Sequence, residues 1–279
     1  MQPEILLFFA KYIESELGIV YAEHNFFQLQ NRLEEISKLL AVESVEKLYL
    51  IAKEGISGQF KQLLLDLATN NETSFFRDSK VFRAIETVAL PWFLQTSPVG
   101  SEFRIWSAAS STGQEALSVS ILFHEWNLKN NQKIQFSIMA TDISERILNR
   151  AKEAHYSQLE IQRGLPATYL IKYFTKNDQE RWTASAELTQ HIQFRKQNLL
   201  EPFLFTKPFH IIFCRNVLIY QTVESKKKIL NRLTEMLVPG GYLILGSGES
   251  LLGLSSDYQQ VLSDGAVIYQ KKDQLTKVA

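Results

Sequence analysis

Cysteine is almost missing from this sequence: Cys214 is the only one among 279 residues. No internal disulfide can form, and the chain is expected in a reducing compartment, the cytoplasm. An excess of either charge is missing too, with 30 basic and 30 acidic residues. Nothing therefore draws the whole surface to nucleic acid or to an anionic membrane, and neither is expected as a partner. No apolar run is long enough to span a bilayer, so membrane insertion is not expected. No basic stretch precedes Ile5-Leu6-Leu7-Phe8-Phe9, which reads as a helix and not as a signal peptide. Repeats and low-complexity tracts are absent. The dinucleotide pattern GxGxxG and a P-loop lysine are absent as well, which disfavours a pyrophosphate ligand. His24, His124, His155, His191 and His210 are scattered without metal-ligand spacing, and no metal is expected.

Two patterns divide what is present. Residues 1–70 read as a small all-helical domain, with helices at 3–17, 25–40, 44–53 and 58–69. In 25–40, Phe26, Leu29, Leu33, Ile36 and Leu40 share one face, while Arg32, Glu34, Glu35 and Lys38 lie on the other. Gly18 is a natural stop for the first helix. Residues 71–95 read as a linker and further helix leading to Pro91. From 96 to 279, strands (102–106, 134–140, 209–213, 242–246, 266–270) alternate with helices (114–126, 144–154, 165–172, 223–237). That alternation predicts an α/β domain whose mostly parallel sheet is covered on both faces, with the last two strands antiparallel at an edge. Thr222 is placed to cap helix 223–237 and Pro239-Gly240-Gly241 to stop it. Arg181-Trp182-Thr183 and Ile192-Gln193-Phe194-Arg195 predict a small antiparallel β-subdomain over about 173–196.

Residues 103–126 carry the strongest local signal. A buried strand, Phe103-Arg104-Ile105-Trp106, runs into seven small residues, 107–113, and then into an amphipathic helix. Such a loop either admits a nucleotide-like ligand beyond the carboxyl end of the strand or is an ordinary tight turn. Asp142 ends the next strand, where an acid accepts hydrogen bonds from ribose hydroxyls; it could instead cap the helix at 144, a task open to Ser144 also. Glu115 suits the positive end of its helix as well as it suits a ligand. Residues 71–78 fit either a capped helix start or a polar site. Arg215 and Asn216 emerge at the same carboxyl edge, and Cys214 reads as a packed small residue. A ligand with ribose and no phosphate fits this set best, and S-adenosylmethionine is the commonest of that kind.

The ordered motifs resemble one family. They are Asn71-x-Thr73-x-Phe75-Phe76-Arg77-Asp78, Trp106-Ser107-Ala108-Ala109 through Ser111-Thr112-Gly113-x-Glu115, Ala140-Thr141-Asp142-Ile143, Asn198-Leu199-Leu200 and Phe213 through Tyr220. Pro239-Gly240-Gly241-Tyr242 and Glu249-Ser250-Leu251 follow in order. The sequence resembles the chemotaxis receptor methyltransferases of the CheR family over nearly its whole length. The resemblance implies a Rossmann-like class I methyltransferase domain with an antiparallel β-subdomain, preceded by an all-helical domain. It implies transfer of methyl from S-adenosylmethionine to glutamate carboxylates on cytoplasmic helices of chemoreceptors, leaving S-adenosylhomocysteine. It places Asn71, Thr73, Arg77, Glu115, Asp142, Asn198, Leu199, Arg215 and Asn216 at the cofactor, with Asp142 on the ribose, and Arg77 and Tyr220 nearest the transferred methyl. A receptor C-terminal tail peptide is expected at the β-subdomain, and the enzyme is expected to be a monomer.

These residue types suit the chemistry. A glutamate is already ionised at neutral pH, so no general base is required and positioning dominates. Arginine can grip a carboxylate with two donors and a tyrosine hydroxyl can hold its second oxygen. The sequence departs from the family pattern at Gln114, where an acid is usual, at Ala116-Leu117, at Ser110 and at Gly246-Ser247-Gly248-Glu249. Helix 25–40 is also poor in net positive charge for docking on an acidic helix. The competing readings are a non-catalytic S-adenosylmethionine-binding signalling module and a methyltransferase acting on a protein other than a receptor. A small-molecule methyltransferase would instead need a closed apolar substrate pocket.

Overall fold

Apolar residues at three- and four-residue spacing make the first quarter of the chain helical. In the computed structural model, which describes residues 2–131 and 133–273, four helices follow one another: α1 (Pro3–Leu17), α2 (Phe26–Leu39), α3 (Val45–Glu54) and α4 (Gly58–Ala68). Each end lies within one residue of the expected bound. Their inward faces close one core around Phe9, Ile13, Leu29, Leu33, Ile36 and Leu64. Gly18 ends α1 at φ 69, in the left-handed region. A Cβ there would also strike the Gln221 and Ser225 side chains, so glycine lets the tip of α1 seat against residues 221–225.

The segment expected to hold a linker and helix starts with nine residues, 70–78, that make no helix. They lead into α5 (Ser79–Ala84), a π-helical stretch (Ile85–Ala89) and α6 (Leu90–Thr96). Pro91 has no N–H to give to the preceding turn, which accounts for the irregularity just before it.

The alternating half builds β1 (Glu102–Ala108), α7 (Gln114–Lys129), β2 (Gln135–Asp142), α8 (Glu145–Glu153), β3 (His155–Tyr156), α9 (Gln158–Gln162), α10 (Ala167–Tyr173), β4 (Phe174–Lys176), β5 (Trp182–Ala184), α11 (Ala186–Thr189), β6 (Ile192–Lys196), β7 (Phe209–Cys214), α12 (Val223–Glu235), β8 (Leu237–Leu245), β9 (Tyr258–Ser263) and β10 (Ala266–Lys271). Seven strands form one sheet in the order β6-β2-β1-β7-β8-β10-β9. All pairs are parallel except those of β10 with β8 and β9. The strand order reverses between β1 and β7, the place where a Rossmann-like sheet opens a crevice. His210 sits mid-sheet among the rings of Trp92, Phe93 and Phe103, and its Nδ1 accepts the Arg104 N–H at 2.9 Å. Burial, with the Arg104 guanidinium nearby, pushes its pKa down to about 4.

Three expectations are corrected. Ile192–Lys196 does not belong to the antiparallel insertion; it is β6, the parallel edge of the main sheet beside β2. The small sheet is instead β3-β5-β4, antiparallel throughout. The last two expected strands, β8 and β10, do pair antiparallel, but β10 is not the edge: β9, from the stretch between them, adds a further antiparallel edge strand with Gln259, Gln260 and Leu262 exposed. Pro239-Gly240-Gly241 does not stop α12, which ends at Glu235; it lies inside β8, at the register irregularity against Phe209 and Ile211.

Candidate active site

A solvent-open cleft lies at the carboxyl ends of β1, β2 and β7, roofed by residues 69–77 and the tip of α1. Asn71, Thr73, Arg77, Glu115, Asp142, Asn198, Leu199, Arg215, Asn216 and Tyr220 all line it. Residues far apart in sequence thus meet on one surface.

The loop after β1 is bent tightly, with Ala109 at φ 59 and Ser111 at φ 51. Non-glycine residues rarely hold this conformation, and such strain concentrates at functional sites. The loop is held from both sides. The Ser110 N–H donates to the Thr141 carbonyl at 2.8 Å, and the Ser111 hydroxyl to the Asn71 carbonyl at 2.7 Å. The buried Tyr156 hydroxyl donates to the Thr112 carbonyl at 2.9 Å. Bulk is excluded because the loop lies between β2 and the roof. Gln114 is buried and accepts the Thr112 hydroxyl at 2.7 Å; it does not face the cleft, whereas Glu115 does.

Asp142 closes β2. One carboxylate oxygen accepts the Ser111 N–H at 3.0 Å and the other accepts the Ser144 N–H at 3.1 Å. Ser144 itself caps α8, accepting the Ile147 N–H at 3.2 Å, so Asp142 is not the cap. Burial raises the Asp142 pKa and the nearby Asp66 adds to the rise, while the N–H groups of Ser144, Ser111 and Ile143 oppose it. Each oxygen keeps a lone pair for a ligand hydroxyl.

Arg215 ties the walls together. Its guanidinium, 3% exposed, donates to Asp78 at 2.5 Å, to the Arg77 carbonyl at 2.8 Å and to Glu115 at 3.2 Å. The Ser107 hydroxyl holds the other Glu115 oxygen at 2.6 Å. The neighbouring turn, with Asn216 at φ 59, is built on a residue the motifs contained without a role. Glu249 accepts N–H groups from Gly246, Asn216, Val217 and Ile219 at 2.7 to 3.2 Å. Gly246 is required beside it, since a Cβ would come within 2.8 Å of the Asn216 amide. The signal available was Glu249-Ser250-Leu251, an acid directly after a glycine-rich strand end.

On the outer side, Asn198 donates to the Glu16 carbonyl at 2.9 Å, joining α1 to the cleft. Arg77 donates to the Glu72 carbonyl at 3.2 Å. The Tyr220 phenol oxygen, on a residue 37% exposed, accepts from the Asn70 amide at 3.0 Å. Asn70 was not among the residues singled out from sequence. Four buried polar atoms of the lining have no partner among the described residues: Ser110 Oγ, Arg215 Nε, Asn216 Oδ1 and Gln221 Oε1. Buried polar groups are normally paired, so this set fits a ligand that offers both donors and acceptors. Neither histidine nor cysteine lines the cleft. Among the described residues, no group of three or more His, Cys, Asp or Glu could hold a metal ion, and no helix is long and apolar enough to cross a membrane.

Residues 71–267 match the family described as CheR methyltransferase, SAM binding domain. A chemotaxis protein methyltransferase of Pseudomonas putida is 35% identical over 266 residues, covering 95% of this chain and 96% of that one. The chemotaxis protein methyltransferase 1 of Pseudomonas aeruginosa is 34% identical over 266 residues, covering 95% and 96%. That of Vibrio cholerae is 34% identical over 265 residues, covering 95% of each.

Proposed function

The chain belongs to the CheR methyltransferase family, and from that premise we propose that it methylates glutamate side chains of chemoreceptors, using S-adenosylmethionine, to give γ-methyl esters. The observation that carries the reading is the meeting of ten separate residues in one cleft, with Arg77 and Tyr220 among its lining. The orphaned donors and acceptors there suit the amino acid and ribose parts of the cofactor. Asp142 would accept the ribose hydroxyls; Asn71, Thr73, Glu115, Asn198, Leu199, Arg215 and Asn216 would hold the rest. When bound, the cofactor supplies a sulfonium methyl, whose bond to sulfur breaks with the electron pair left on sulfur as a carboxylate oxygen forms the new C–O bond.

The chain's own task is to hold the carboxylate. Among the described residues Arg77 donates one side-chain hydrogen bond, from Nη1, which leaves the other donors of its fork for a carboxylate. Tyr220 offers its hydroxyl to the second oxygen. No proton has to move, which agrees with a lining free of histidine and cysteine. Because opposite charges approach and cancel, a dry site favours the step.

Receptor docking draws little on charge from α2. Arg32 is turned inward, donating to the carbonyls of Ala68 and Thr69 at 2.8 and 3.3 Å. The exposed side of α2 offers Phe27, Gln28, Asn31, Glu35 and Lys38. A receptor tail peptide would find its place at the small β3-β5-β4 sheet. The test is transfer of labelled methyl to receptor fragments, followed by mild alkali. Label released as methanol from mapped glutamates is the expected result. Cofactor binding without transfer to any receptor fragment would favour the non-catalytic module instead.

A further inference from the structure

We infer that Asn70 is a positioning residue that turns the hydroxyl proton of Tyr220 toward the substrate carboxylate; the inference rests on the reading of Tyr220 as a substrate contact. Asn70 enters the site from the end of α4, 150 residues away from Tyr220 in sequence. Its side-chain oxygen accepts the Glu72 N–H at 3.3 Å, closing a turn over residues 70–72. That bond commits the oxygen, so the amide NH₂ is the end that faces the phenol, at 3.0 Å. An amide nitrogen donates and does not accept. The Tyr220 oxygen is therefore the acceptor, and its single proton must point elsewhere. Tyr220 lines the cleft, and a carboxylate arriving there is the acceptor that proton would meet.

The same turn serves the other mouth residue. The Glu72 carbonyl receives Arg77 at 3.2 Å, and the Glu72 carboxylate pairs with Arg163 at 2.6 Å. One turn at 70–72 thus sets the direction of Tyr220 and the seat of Arg77. The alternative is that the Asn70–Tyr220 bond merely braces the helical part of the chain against the turn at 218–220. The two differ in what happens when the turn is kept and the donor is reversed.

Asn70→Asp does that. Its carboxylate still accepts the Glu72 N–H, but it now attracts the Tyr220 proton that the substrate would use. Asn70→Ala removes both bonds and leaves the hydroxyl free to rotate. If Asn70 directs the proton, KM for a receptor fragment rises about tenfold in Asn70→Asp and about threefold in Asn70→Ala, the size of a hydrogen bond to a charged group. Cofactor affinity stays within about twofold in both, which also shows that each variant is folded. In a Tyr220→Phe background, Asn70→Asp then adds less than about twofold, because its effect passes through the missing hydroxyl. A brace predicts the opposite order, with Asn70→Ala at least as damaging as Asn70→Asp, and that order overturns the inference. An undiminished Asn70→Asp penalty in Tyr220→Phe also overturns it, since charge repulsion alone would then be the cause. Absence of transfer by the unaltered chain would overturn the functional reading together with this inference, whereas robust transfer with the brace order overturns this inference alone.

Discussion

The two walls of the cleft hold their polar groups by different means. The inner wall comes from the ends of β1, β2 and β7, where Asp142, Glu115 and Arg215 are largely buried and locked by backbone N–H groups, a serine hydroxyl and one another. The outer wall, residues 69–77 with Tyr220, has its backbone tied to the inner one, with the Asn71 carbonyl taking the Ser111 hydroxyl and the Arg77 carbonyl the Arg215 guanidinium, but its side chains Asn70, Arg77 and Tyr220 make only exposed hydrogen bonds. A rigid, desolvated wall suits a small ligand bound the same way every time. Exposed side chains with donors to spare suit a macromolecular side chain that must enter and leave. On the proposed function, the sheet wall would hold most of the cofactor, with Asn71 and Thr73 of the loop closing over it, and Arg77 and Tyr220 would meet the substrate.

The largest effect that would break this contrast is on the inner wall. Arg215→Ala leaves Glu115 and Asp78 without their buried cation, and the loss should be about 3 kcal/mol or more in urea unfolding, as for other broken buried pairs. A stability loss under about 1 kcal/mol would mean the inner wall is not locked in this way. Asp142→Ala comes next. It removes the acceptor of the Ser111 and Ser144 N–H groups and the proposed acceptor of the ribose hydroxyls, and cofactor affinity by calorimetry should fall about a hundredfold.

A pH measurement sharpens the contrast. The His210 pKa, depressed to about 4 in the folded sheet, lies below its ordinary value near 6.5. The unfolded chain therefore takes up the proton first. Stability from this group is complete above about pH 6.5 and is lost as pH falls toward about 4, roughly 1 to 2 kcal/mol of it between pH 7 and 5. Asp66, Asp142 and Glu86, all raised chiefly by burial, act in the opposite sense. The readout is accordingly the difference in urea midpoint shift between the unaltered chain and His210→Gln, which should flatten the loss. The smallest effect is at Gln114. Because that side chain faces Thr112 and not the cleft, Gln114→Ala should change cofactor affinity by less than about threefold; a large loss would extend the inner wall to it.

The same division explains what was legible in the sequence. Periodicity located α1 to α4 and the strands of the parallel sheet, because each buries one regular face. The lining of the cleft was legible where short motifs sit at strand ends, as at Asp142 and Arg215. Pairing was not. Ile192-Gln193-Phe194-Arg195 looks alike as a hairpin arm or as the parallel edge beside β2, and only long-range contact decides. The edge strand β9 carries Gln259, Gln260 and Ser263, too polar to show alternation. Glu249 and Asn70 escaped because each acts on backbone or side chains distant in sequence, Glu249 on the turn at 216–219 and Asn70 on Tyr220. The motif around Glu249 does not name its partners, and Asn70 leaves no local pattern.

Arg77→Ala tests the central claim most directly, with cofactor binding and labelled methyl transfer to receptor fragments measured on the same preparation. Transfer should fall about a hundredfold or more while cofactor affinity falls less than about tenfold. Transfer near that of the unaltered chain, or cofactor binding lost in step with transfer, would contradict the placing of Arg77 against the substrate carboxylate.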